Sequence, residues 1–151
     1  MANIQKKTLP ILIAEDDEDD RLLAIEAFEE SQLLNELYIV KDGEELLDFL
    51  YHRGAYQDPK SSPRPGLILL DLNMPKKDGR EALKEIKSDS NLCSIPIVIL
   101  TTSKAEEDIY RSYLLGGNSF IVKPVTFERL IEMMKQLGNY WFEIVELPTY
   151  P

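Results

Sequence analysis

Histidine, cysteine and tryptophan each occur only once in this chain, and the first two scarcities close off whole classes of chemistry. A lone cysteine, Cys93, cannot make an internal disulfide, and a residue of this kind is expected as a small buried apolar side chain. A lone histidine, His52, has no partner for a Ser-His-Asp or Cys-His nucleophile scheme, nor for a zinc site. It is expected near a helix end in a structural or solvated role. No glycine-rich GxxxxGK[ST] phosphate loop is present. No apolar run approaches the roughly 20 residues that a membrane helix needs. The opening MANIQKKTLP carries no apolar signal core, so a cytoplasmic protein without membrane contact is expected. Basic residues are also few. Against 27 Asp and Glu stand 17 Lys and Arg, a formal net charge of −10, which argues against nucleic acid as a partner because phosphate binding draws on clustered cations.

What is present fits one water-soluble domain. The chain has 151 residues, 44% of them hydrophobic and 29% charged, ordinary values for a globular protein with its own core. Three apolar runs, Ile11 to Ala14, Leu67 to Leu70 and Ile95 to Leu100, lack polar alternation, as strands covered on both faces of a parallel sheet do. Weaker strands are expected at 37–40 and 119–122. Amphipathic stretches at about 17–32, 43–52, 79–88, 105–115 and 126–142 separate them, with Leu22, Leu23, Ala27 and Phe28 at helical spacing in the first. The order is (βα)₅, which predicts an α/β fold: a doubly wound, five-stranded parallel sheet with its functional site at the carboxyl ends of the strands. One domain spanning 1–151 is expected, with a core of about 8–142, a loop insertion at about 53–64 and an extension over 139–151. Gly116-Gly117 reads as a helix stop, and Leu147 to Pro151 as an extended tail.

The carboxyl ends of these strands collect Glu15 and Asp16 after the first, Asp71 at the third, Thr101 at the fourth and Lys123 after the fifth. Three carboxylates in one cleft repel each other unless a cation joins them. With oxygen ligands only, Mg²⁺ fits better than zinc. Asp71, on the central strand, is placed to attack phosphorus and become an acyl phosphate. Glu15 and Asp16 would hold the metal, while Lys123 and Thr101 would offer an ammonium and a hydroxyl to phosphoryl oxygens. The remaining acids of the first cluster, Asp17 to Asp20, are expected to cap and complement the first helix.

At these motifs the chain resembles the receiver domains of two-component response regulators. The resemblance covers nearly the whole length and rests on the acidic pair in ILIAEDDEDD, the acceptor in LILLDLNMPKKDG, the hydroxyl in IVILTTS and the lysine-proline in FIVKP. The intervals of 30 residues from Asp71 to Thr101 and 22 from Thr101 to Lys123 are those usual in that family. It implies a flavodoxin-like receiver fold and a phospho-acceptor signalling protein rather than an enzyme. It further implies that Asp16 and Asp71 ligate Mg²⁺ directly, that Glu15 acts through water, and that Asn73 contributes its backbone carbonyl. A cis bond between Lys123 and Pro124 is implied too, as is a switch in which Thr101 moves toward the phosphoryl group and Phe120 follows. Phe120 stands where tyrosine is commoner, and Thr102 where alanine or serine is more usual.

The long loop before the third strand and the ending Asn139 to Pro148 resemble, more narrowly, the small stand-alone regulators that serve cyanobacterial phytochromes. That implies a light-sensing histidine kinase as phosphodonor, no output domain and a homodimer. Two other readings compete. A haloacid-dehalogenase-type phosphatase needs a second aspartate two residues after the nucleophile, where this chain has Asn73. A phosphorylation-independent interaction module would have no need of the intact Asp71, Thr101 and Lys123. The aromatics Tyr140, Trp141 and Phe142 are expected to pack on the parent domain, with an intermolecular role as the alternative.

Overall fold

The computed structural model describes residues 9–72, 74, 76–101, 109, 111 and 113–148, with the main chain alone for Thr101. Five strands, β1 (Ile11–Ala14), β2 (Leu37–Val40), β3 (Leu67–Leu70), β4 (Ile97–Thr101) and β5 (Ser119–Val122), form one parallel sheet in the order β2-β1-β3-β4-β5. The described helices are α1 (Glu18–Glu30), α2 (Gly43–Tyr51), α3 (Gly79–Ser88) and α4 (Phe127–Asn139). A 3₁₀ turn, Gly54–Tyr56, and a π-helical turn, Tyr140–Ile144, complete the set. The expected helix at 105–115 falls largely outside the described residues. Its end is visible at Gly116, which takes φ +101° where a side-chain-bearing residue would be strained.

Side chains alternate across a strand with period two, and here that alternation feeds two cores. Leu12, Ala14, Ile68, Leu70, Ile97 and Ile99 face one side of the sheet with Leu46, Leu47, Phe49, Ala82, Leu83 and Ile86 of α2 and α3. Ile11, Ile13, Leu67, Leu69 and Val98 face the other side with Ala24, Ala27 and Phe28 of α1 and Met134 of α4. β1 and β3 are buried along their whole length, so both faces demand apolar residues. The edge strands β2 and β5 are mostly half-buried, which is why their sequences are less uniform.

Helix starts follow the capping rule that a short acceptor side chain takes up an orphan N–H. Asp17 accepts from Asp20 N at 3.0 Å, Asp42 from Glu45 N at 2.7 Å, Asp78 from Arg80 N at 2.8 Å and Thr126 from Arg129 N at 3.2 Å. His52 ends α2 in the left-handed conformation at φ +58°, and its Nε2 lies 2.9 Å from the Ser62 carbonyl oxygen. The expected structural role of His52 is thus to tie the loop at 53–64 back to the domain. Ser62, fully buried, places its hydroxyl 2.9 Å and 2.8 Å from the carbonyls of Tyr56 and Asp58.

The extension packs on its own domain. Trp141 and Phe142 are buried in the core shared with α1 and α4, while Tyr140 and Ile144 stay exposed. Residues 145–148 continue without helix or strand, and the rest of the expected tail lies outside the described residues. One expectation fails here: Cys93 is exposed rather than buried. It sits in the turn after α3, where its N–H bonds the Asp89 carbonyl at 2.8 Å and Leu92 and Ile95 take the inward positions.

Candidate functional site

In a sheet of this order, connections from β1 and β3 leave on opposite faces, and a crevice opens between the carboxyl ends of those neighbouring strands. Glu15 directly follows β1 and Asp71 directly follows β3. The Glu15 N–H bonds the Val40 carbonyl at 3.0 Å, and the Asp71 N–H bonds the Ala14 carbonyl at 3.1 Å, so ladder geometry carries both residues to the rim. Both are buried, 5% and 7% exposed. Asp16, the next residue along, is exposed. One carboxylate oxygen from each of Glu15, Asp16 and Asp71 lies within 4.8 Å of the others, a set that could hold a metal ion.

Lys123 enters this crevice from the end of β5. Its Nζ bonds the Glu15 carboxylate closely and lies 3.2 Å from Asp20 and 3.4 Å from Asp71. Burial pushes the Glu15 carboxyl up to about 7 against the pull of Lys123 and the Asp17 N–H, and the Asp71 charge adds to the rise. For Lys123 burial acts the other way and favours the neutral amine. The hydrogen bond to Glu15 and the charges of Asp71 and Glu15 outweigh it, holding the ammonium above its ordinary range.

Two supports of the site were not legible in the sequence. Arg21, on the first turn of α1, donates from Nη1 to the carbonyls of Asp16 at 2.7 Å and Glu15 at 3.2 Å, bracing the acidic loop. Asp20, expected only to complement the helix start, also reaches Lys123. Neither partner is predictable from helical spacing, because Lys123 lies on another element and the Arg21 acceptors are main-chain atoms.

The Lys123–Pro124 peptide bond is trans, contrary to expectation; no cis bond occurs among the described residues. Trans is the favoured X–Pro isomer by about 0.5–1 kcal/mol, and Lys123 reaches its three carboxylates without the inversion. Thr101 ends β4 in register with Val122, the residue before Lys123; the expectations for its hydroxyl and for the Asn73 carbonyl lie outside the described residues. Phe120, half-buried, packs against the core on the α2 and α3 side.

A strand-end aspartate beside an acidic pair and a half-buried lysine, on a parallel sheet of this order, defines a receiver-type signalling protein. The chain belongs to the response regulator receiver domain family, whose model matches residues 11–135, and it is a phospho-accepting response regulator. It is 44% identical over 139 residues to response regulator Rcp1 of Synechocystis sp., covering 92% of each chain. The phosphorylated cyanobacterial phytochrome response regulator RcpA superposes with a TM-score of 0.85 at 42% identity, over 94% of this chain and 99% of that one. The Mn²⁺-bound form of Rcp1 gives 0.82 at 43% identity, over 93% and 99%. Among the described residues no helix is long and apolar enough to cross a membrane.

Proposed function

We propose that this protein receives a phosphoryl group on Asp71 from a phytochrome-type sensor histidine kinase in the cytoplasm, with Mg²⁺ held by Glu15, Asp16, Asp71 and the Asn73 carbonyl. The observation that carries the reading is the meeting of Asp71 with Lys123 and the acidic pair at the switch point of the sheet. The donor set fits a hard divalent cation. Glu15, Asp20 and Asp71 share the Lys123 ammonium, Asp16 adds a further carboxylate beside Glu15 and Asp71, and burial, with the Asp71 charge, raises the Glu15 carboxyl. All donors are oxygens, which suits Mg²⁺. When bound, such an ion neutralises charge on phosphoryl oxygens.

The chain's own residues do the rest. An Asp71 oxygen attacks phosphorus, the bond from phosphorus to the donor histidine nitrogen breaks, and an acyl phosphate results. Lys123, fully protonated, supplies N–H donors to the phosphoryl oxygens, and Thr101 supplies a hydroxyl. Thr101 and Phe120 then act as the switch, and Phe120, lacking a hydroxyl, can signal only by changing its packing on the core. The phytochrome-type kinase is supported by the similarity to the phytochrome response regulator RcpA over nearly the whole length of each chain, and a homodimer is proposed with it.

The test is transfer of radiolabel from acetyl phosphate, or from a phosphorylated histidine kinase, to wild type and Asp71→Asn in the presence of Mg²⁺. Base-labile label on the wild type that is missing from the variant is expected. A wild type that takes no label from either donor would instead support an interaction module.

A further inference from the structure

A lysine ammonium has three N–H donors and accepts nothing. At Lys123 three carboxylates stand within reach, so each donor has an anionic partner. The three partners are not equivalent. The Glu15 and Asp71 side chains are 6% and 9% exposed, whereas that of Asp20 is 44% exposed. Ion pairs open to water are weak because solvent screens them, while the same contact in a covered site is far stronger. Asp20 is therefore the partner most readily exchanged.

Its position makes the exchange matter. Asp20 stands on the first turn of α1, where its N–H is held by the Asp17 side chain at 3.0 Å. Capping is thus the work of Asp17, and the Asp20 carboxylate is left to face Lys123.

We propose that Asp20 is a positioning residue that slows phosphoryl capture by occupying a Lys123 donor that the incoming phosphoryl group needs. The inference rests on the reading of Asp71 as acceptor. With acetyl phosphate as donor, an Asp71 oxygen forms the new bond to phosphorus, the bond from phosphorus to the acetyl oxygen breaks, and acetate leaves with the electron pair. Lys123 keeps its proton throughout. In that step an N–H of Lys123 turns from a carboxylate to a phosphoryl oxygen, and Asp20 is the carboxylate that yields. The Asp20 charge also repels the approaching anion. Both effects have the same sign, so removing the charge speeds capture.

The experiment compares full-length Asp20→Asn, Asp20→Glu and Asp19→Asn with wild type, following label from subsaturating acetyl phosphate at saturating Mg²⁺. Asp19 lies on the same turn, is exposed, and loses the same charge on substitution, so it reports the general electrostatic effect. Asp20→Asn is expected to label about three- to fivefold faster than Asp19→Asn, the scale of a partly exposed ion pair. Asp20→Glu, which restores a carboxylate, is expected near the wild-type rate. With a labelled wild type, an Asp20→Asn rate equal to or below that of Asp19→Asn, or a fast Asp20→Glu, overturns the role of Asp20 and leaves Asp71 as acceptor. An unlabelled wild type overturns both.

Discussion

Gly79 lies directly against the main chain of Asp71: a Cβ built on Gly79 would come 2.3 Å from the Asp71 carbonyl oxygen and 2.7 Å from the Leu72 Cα. The Gly79 N–H bonds the Leu72 carbonyl at 3.0 Å, so α3 begins pressed onto the loop that carries the candidate acceptor. Because the obstructing atoms are backbone, no rotamer change relieves the contact. Gly79→Ala is expected to lower stability in urea by about 1–3 kcal/mol, the range for overpacking, and to slow labelling of Asp71. Unchanged stability would show that the loop shifts freely.

Asp16 offers the exposed oxygen of the acidic trio, and its own carbonyl is braced by Arg21. Titration calorimetry with Mg²⁺ or Mn²⁺ is expected to show one ion per chain. Asp16→Asn should weaken binding by at least about tenfold, or 1.4 kcal/mol, and a chelator should abolish labelling until Mg²⁺ is returned. An affinity unmoved by Asp16→Asn would remove that residue from the ligand set.

Tyrosine hydroxyls give the fold an alkaline limit. Tyr51 is pushed up to about 12, first by burial and then by its 2.8 Å hydrogen bond to Asp89. Tyr56 is pushed up as well by burial and by its hydrogen bond to Glu45. A raised folded-state value means a proton held more tightly when folded, so this stability is fully present below pH 10 and lost as pH rises through about 12. Tyr51→Phe is expected to flatten the fall in stability between pH 10 and about 12 seen by urea titration. Parallel curves for wild type and variant would contradict that origin.

The π-helical turn is anchored by Trp141 and Phe142, 9% and 3% exposed. Phe142→Ala is expected to cost about 3–5 kcal/mol, as for other buried phenylalanines. The single tryptophan reports on it directly, and its emission should shift to the red if the turn lifts off. A change below about 1 kcal/mol would place the turn outside the cooperative core.

The legibility of this molecule in its sequence follows burial and contact range. β1 and β3 announce themselves as unbroken apolar runs because both of their faces are covered; β2 and β5, at the edges, gave weaker patterns for the same reason inverted. Glu15, Asp16, Asp71 and Lys123 could be gathered in advance because strand ends converge by topology, whatever the side chains do. Asp20 escaped because its partner is 103 residues away, and helix-start acids already have a local explanation. Cys93 departs from expectation because a turn residue has no periodicity to say which way it points, and the Lys123–Pro124 bond because the lysine reaches its carboxylates in the trans form.

The most direct test of the central claim is to map the modified residue itself. Protein phosphorylated by acetyl phosphate in Mg²⁺ would be reduced with borohydride, which converts an aspartyl phosphate to homoserine, digested, and sequenced by mass spectrometry. Homoserine at position 71 and nowhere else is the expected result; homoserine at Asp16 or Asp20, or an unmodified peptide spanning Asp71 from labelled protein, would contradict Asp71 as the acceptor.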